Sequence, residues 1–77
     1  MTESDKKLYK CFAAVFPALP EGSITSASVE SVDDWDSIAH VTLVETIQQD
    51  FAIRLEDAEV EQLTSFPAWS ARLHQAT

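Results

Sequence analysis

Apolar side chains recur every three or four residues in three stretches of this chain, and this periodicity is the strongest constraint on its fold. Residues at that spacing lie on one face of an α-helix, whereas a half-buried strand alternates apolar and polar residues. The chain has a single glycine and no alternating stretch. The pattern therefore predicts an all-α bundle. The three stripes are Leu8, Phe12, Val15 and Phe16; Leu43, Ile47 and Phe51; and Phe66, Trp69 and Leu73.

The first helix is predicted over 4–16 and is followed by a long loop over 17–36. Thr2 or Ser4 can cap this helix, because a side-chain oxygen there accepts a backbone N–H of the first turn. Pro17 ends it, since the residue before a proline is pushed out of the helical region. Proline, glycine and serine punctuate the loop. Apolar residues within the loop are expected to anchor it to the bundle: Leu19, Ile24, Val29 and Val32.

Three further helices are predicted after the loop, which makes four in all. The second helix is predicted over 37–51. The third is short, with Asp57 as its cap and an end near Leu63. The fourth begins at Thr64 or Ser65, because a proline two or three positions later is tolerated in a first helical turn.

The chain has 77 residues, which is enough for one domain, predicted to span 1–77. A domain this small buries only about 60% of the surface that its unfolded chain exposes. Such a core leaves little material for an enclosed catalytic cavity. We therefore expect a partner to perform any chemistry, and we do not expect this chain to be an enzyme.

The formal net charge is −8, from 13 acidic and 5 basic side chains. This balance disfavours nucleic acid and anionic membrane surfaces, because both attract basic proteins. It favours docking to basic patches on partner proteins. The single cysteine, Cys11, excludes an internal disulfide, and no apolar run approaches the ~20 residues of a membrane helix. We expect a monomer in the cytoplasm, without membrane insertion.

A candidate site lies in Asp36-Ser37-Ile38, where the long loop meets the second helix. The hydroxyl of Ser37 is expected to be exposed there and within reach of an approaching enzyme. A helix N-terminus offers free N–H groups and positive partial charge, which suit an attached phosphodiester. The dipole also favours the negative charge of Asp33, Asp34 and Asp36. A helix-capping serine without modification is the plainer alternative.

From Trp35 to about Leu73, the sequence resembles the acyl carrier protein family. The family's Asp-Ser-Leu motif corresponds to residues 36–38, and the similarity continues through 55–60 and 63–65. The first helix and the loop agree with the family in length and apolar pattern only. The resemblance implies a four-helix acyl-carrier-like bundle with a long loop between helices 1 and 2 and a short third helix.

The resemblance implies that Ser37 carries 4′-phosphopantetheine, moved from coenzyme A by a phosphopantetheinyl transferase that uses Mg²⁺. The thiol of this arm would hold acyl intermediates as thioesters between a loading ligase and downstream acyl-processing enzymes. Asp36 would help to organise the transferase complex. The resemblance implies no catalytic or metal-binding residue in the chain itself. The positions of the second helix that would face partner enzymes are Ile38, Val41, Thr42 and Glu45.

The second helix is poorer in acidic residues than that of the family's generalist fatty-acid carriers. The matching positions hold Ala39, Thr42, Gln48 and Gln49. This departure implies a specialised carrier in a dedicated biosynthetic pathway. An aminoacyl, peptidyl or D-alanyl carrier shares the same arm and is an open alternative, as is an unmodified acidic helical adaptor.

His40 lies one helical turn after Ser37, so a Ser–His catalytic pair about 5–6 Å apart is conceivable. The sequence identifies no orienting acid or oxyanion hole for it, which favours a packing role or a solvent-facing ring. Trp35 and Trp69 are expected to anchor the core or the loop, and Cys11 to be a small buried hydrophobe. The cysteine and the histidines do not have the spacing of metal ligands.

Overall fold

The computed structural model describes residues 2–76, which form five helices. They are α1 (Glu3–Val15), α2 (Glu21–Ile24), α3 (Ser37–Phe51), α4 (Asp57–Gln62) and α5 (Phe66–Ala76). The described part of the chain has no strand, and an isolated antiparallel bridge joins Ser28 to Ser65. The chain is therefore a small, mostly helical protein, as its periodicity predicts.

The ends of α1 follow the local sequence. Thr2 caps the helix, because its Oγ1 accepts the backbone N–H of Asp5 at 3.1 Å. At the other end, the N–H of Phe16 still reaches the carbonyl of Phe12, and Pro17 follows. The helix thus begins and ends one residue earlier than the predicted range of 4–16.

The segment predicted as a loop over 17–36 contains a one-turn helix, α2. The periodicity could not reveal it, because four residues are too few to form a stripe. Ile24 and Val32 are buried and anchor the segment as predicted. Val29 does not, since 39% of it is exposed.

Backbone hydrogen bonds tie the second half of this segment to the residues before α5. The N–H of Val29 donates to the carbonyl of Thr64, and the N–H of Phe66 donates to the carbonyl of Ala27, each at 2.9 Å. These two bonds flank the Ser28–Ser65 bridge. They hold Val29 next to Thr64, and both residues line the same surface cleft as the candidate serine.

The bounds of α3 agree with the predicted range of 37–51. The helix ends at Ala52, whose φ of 53° places it in the left-handed region. Its N–H donates to the carbonyl of Gln48 and so closes the last turn. A left-handed residue with a side chain is strained, because its Cβ crowds the backbone.

The two last helices begin close to their predicted positions. The cap of α4 is Glu56 and not Asp57, because Glu56 and Glu59 form a reciprocal capping box with each other's backbone N–H groups. This arrangement satisfies two donors of the first turn at once. Before α5, Ser65 accepts the N–H of Ala68 at 3.2 Å, which makes it the capping side chain.

Aromatic rings fill the centre of the molecule. The ring centroid of Phe12 lies 6.1 Å from that of Phe16, 5.4 Å from Trp35 and 5.2 Å from Phe66. All the predicted stripe residues are buried except Val15 and Phe51, which are half-buried. Helix α1 packs against both α3 and α5 around this core.

Trp69 is fully buried as predicted, and its indole N–H has no hydrogen-bond partner in the described part of the chain. An unpaired buried donor costs about 1–3 kcal/mol. The burial of so large a ring must offset that cost.

Candidate functional site

Ser37 is the first residue of α3 and is exposed. Its hydroxyl has no hydrogen-bond partner among residues 2–76. Asp36 caps the helix, because its Oδ1 accepts the N–H of Ala39 at 2.9 Å. The cap fixes the turn at which the loop becomes helix, and this turn leaves the serine at the surface, where the sequence places it.

A surface cleft of about 560 Å³ lies beside Ser37. Its walls come from α3, from α4 and from the loop residues that bond to the start of α5. The cleft combines apolar surface with carboxylates. Besides Asp36 and Ser37, it is lined by Val29, Trp35, His40, Val41, Glu61 and Thr64.

His40 has a partner at each ring nitrogen. Its Nδ1 lies 3.0 Å from the indole Nε1 of Trp35, and its Nε2 lies 3.0 Å from the carbonyl oxygen of Val60. The indole can only donate and the carbonyl can only accept. The ring is therefore neutral, with its proton on Nε2. The two rings also stack, with centroids 6.0 Å apart.

This network assigns His40 a packing role and leaves no nitrogen to face Ser37. A Ser–His pair needs a free imidazole nitrogen as the base. Ser37 and His40 therefore do not form the catalytic pair that their spacing in the sequence allows. The sequence does not reveal the bond to Val60, because its acceptor is a backbone carbonyl twenty positions away.

The four predicted interface residues lie along one face of α3. Ile38 is 79% exposed and Val41 is 56% exposed, which is unusual for large apolar side chains in this molecule. Thr42 and Glu45 are exposed beside them. The hydroxyl of Thr42 donates to the carbonyl of Ile38. The exposed face of α3 next to Ser37 is therefore more apolar than charged.

Two of the four positions that lack the family's acidic residues face the protein. Ala39 is half-buried and packs against the core. The Oε1 of Gln48 accepts the N–H of Leu55 at 2.8 Å and so holds the segment between α3 and α4. Thr42 and Gln49 are exposed. Ala39 and Gln48 thus have structural roles within the protein that the periodicity of the sequence did not indicate.

Cys11 is buried, as predicted, and its thiol donates to the carboxylate of Asp50 at 3.2 Å. Burial, together with this hydrogen bond, raises the pKa of the thiol to about 12. The reactive form of a cysteine is the thiolate. The single thiol of this chain is therefore not a nucleophile at neutral pH.

Within residues 2–76, no three His, Cys, Asp or Glu side chains come together as metal ligands. In the same part of the chain, no helix combines the length and apolar character needed to cross a bilayer. Comparisons with protein-family models, with curated proteins and with solved structures found no match. The fold and the site define a small helical protein with an exposed serine at a helix N-terminus.

Proposed function

We propose that this protein is an acyl carrier whose Ser37 is modified with 4′-phosphopantetheine. The observation that carries the proposal is the Ser37 hydroxyl, which is exposed, lies at the junction of loop and helix and makes no hydrogen bond to residues 2–76. A transferase can reach such a hydroxyl without unfolding any part of the chain. The thiol of the arm would then carry acyl groups as thioesters between partner enzymes in the cytoplasm.

The N-terminus of α3 suits the phosphodiester of this arm. Asp36 takes the N–H of Ala39, whereas the N–H groups of Ser37 and Ile38 have no partner in the described chain. Free N–H groups at a helix start attract anions. The carboxylate of Asp36 opposes this attraction, and we propose that the negative charge serves the encounter with the transferase.

The architecture supports the same proposal. Helices α1, α3, α4 and α5 would be the four helices of a carrier bundle, and α2 a turn of its long loop. Helix α4 is short, with only six residues. The single cysteine is buried with a raised thiol pKa. A carrier of thioesters therefore needs an added thiol.

The exposed face of α3 is the proposed docking surface for partners. Ile38 and Val41 would bury apolar area against them, and Glu45 would add one charge. Apolar docking depends little on salt, whereas exposed ion pairs are screened. We infer a dedicated set of partners: a transferase, a loading ligase and later acyl-processing enzymes.

The test is modification of the intact chain. Incubation with coenzyme A, Mg²⁺ and a broad-specificity transferase should add the mass of one phosphopantetheine to wild type and none to Ser37→Ala. Ser23→Ala, which removes another exposed serine, should gain the full mass. A wild-type mass that stays unchanged with several transferases would favour an unmodified adaptor. Loading of the modified protein with amino acids instead of acyl groups would favour the aminoacyl alternative.

A further inference from the structure

Helix α4 forms one wall of the cleft beside Ser37 but is weakly attached to the protein. None of its residues is fully buried, although Val60 packs partly buried against the core and Leu55 and Leu63 on either side are buried. A helix with so little buried apolar area gains little from packing, and such segments open at low free-energy cost. Its position therefore depends also on the polar contacts that hold it.

Two polar contacts connect α4 to the other helices. Arg72 of α5 donates to the carboxylate of Glu59 at 2.8 Å, on the outer side, where both side chains are partly exposed. His40 of α3 donates to the carbonyl of Val60 at 3.0 Å. Of these two contacts, only that of His40 lies at the cleft. Its other nitrogen accepts from Trp35, which also lines the cleft.

We propose that His40 is a positioning residue: its neutral ring joins Trp35 and α4 and so sets the shape of the cleft beside Ser37. The inference deepens the proposed function and rests on it for the role of the cleft. Trp35, the ring of His40 and the carbonyl of Val60 form a continuous chain from the loop, through α3, to α4. Loss of either hydrogen bond removes one of the contacts that set the relative position of the cleft walls.

Protonation of the ring breaks this chain at Trp35. A proton on Nδ1 would face the indole N–H, so two donors would meet and the bond would be lost. The titratable groups that share the cleft with the ring are Asp36 at the start of α3 and Glu61 on α4. Both are carboxylates, which favour a charged ring over a neutral one. Protonation of His40 would therefore change the shape of the cleft.

The first readout is spectroscopic and does not depend on the arm. In the unmodified chain, ¹⁵N NMR at about pH 8 should find the Nε2–H tautomer of His40 and a slowly exchanging indole N–H of Trp35. On acidification, protonation of the His40 ring should move the indole signal, because the acceptor at Nδ1 is lost. His74→Gln removes the chain's other histidine, which lies near Asp5, and should leave this behaviour unchanged. An indole signal independent of the His40 titration would overturn the proposal.

The second readout is the modification rate of Ser37. His40→Phe keeps a ring but loses both hydrogen bonds, and should slow modification at least roughly two- to tenfold at about pH 8, the effect of losing one of them. His40→Gln keeps an N–H donor and cannot titrate. The ratio of the wild-type rate to the His40→Gln rate should therefore fall when the His40 ring is protonated. Taking this ratio at each pH cancels the pH dependence of the transferase itself.

The outcomes separate the two proposals. If Ser37 is modified but both His40 variants match wild type in rate and pH profile, His40 does not position the site and the inference is wrong. If no transferase modifies Ser37, the proposed function fails, and the NMR titration alone decides whether His40 holds the cleft together.

Discussion

Single residues define both ends of α3, the helix that begins with Ser37. Asp36 satisfies one N–H of the first turn of α3, and such a cap contributes about 1 kcal/mol. At the other end, Ala52 closes the helix in a left-handed conformation, with a φ of 53°. Aspartate is a preferred residue at a helix N-cap, whereas alanine is strained in a left-handed conformation.

Replacing Ala52 with glycine should raise the free energy of unfolding by about 0.5–1 kcal/mol. Glycine adopts positive φ without strain, and this gain exceeds its greater loss of backbone entropy. Urea denaturation followed by circular dichroism measures the change. Ala71→Gly, at an exposed position inside α5, should instead lower the free energy by a similar amount. A loss of stability in both variants would contradict the left-handed closure.

At the scale of elements, a carboxylate joins the first helix to the last. Asp5 of α1 accepts from the hydroxyl of Ser70 on α5 at 2.6 Å. This hydrogen bond is the main cause that lowers the pKa of Asp5 below its ordinary 3.8, and His74 adds to it against the effect of burial. A carboxyl with a lowered folded pKa stabilises the protein above its unfolded pKa. That contribution is lost as the pH falls through the folded value.

Ser70→Ala should therefore destabilise the protein by roughly 1 kcal/mol at neutral pH and by less in acid. Urea denaturation at pH 7 and below the ordinary pKa of Asp5 measures the gap from wild type. The gap should narrow as the pH falls, because wild type loses the bond to the carboxylate as well. Ser23→Ala, on α2, provides a control without this dependence. A Ser70→Ala gap that stays constant with pH would show that the α1–α5 hydrogen bond does not control the titration of Asp5.

At the scale of the whole molecule, α3 contributes unequally to the core along its length. Leu43 is fully buried, whereas Phe51 is half-buried, with the Lys7 ammonium 4.9 Å from its ring centroid. The middle of α3 is therefore surrounded by the bundle, and its last turn borders the surface. Hydrophobic stabilisation follows the area removed from water, so the two residues should differ in energetic weight.

Leu43→Ala should lower the free energy of unfolding by about 2–5 kcal/mol, as is typical of a buried leucine. Phe51→Ala should cost about half of the 3–5 kcal/mol expected for a fully buried phenylalanine. The first loss is a large part of the stability of a domain this small. Denaturant unfolding of the two variants measures which loses more stability, and Val41→Ala provides the exposed control. Equal losses at all three positions would show that α3 does not pack as described.

Helices and their ends could be predicted because their signals lie within a few residues of each other. The spacing of Leu43, Ile47 and Phe51 encodes one face of α3, and Asp36 and Ser37 encode its start. The exposure of Ser37 follows from that start. The short helix α2 was missed because a single turn has no periodicity, and the cap of α4 was misplaced by one residue because two adjacent acidic side chains can each accept the same N–H.

The cleft was decided by the tertiary structure. His40 meets the carbonyl of Val60, and Gln48 meets the N–H of Leu55, across separations that no periodicity within one helix describes. A side chain with an apolar body and a polar tip can be stable either at the surface or against the protein. Its orientation depends on which partners the fold brings to it. The sequence alone therefore determined the four longer helices and the exposed serine, and only packing decided that His40 faces Trp35 and α4 and not Ser37.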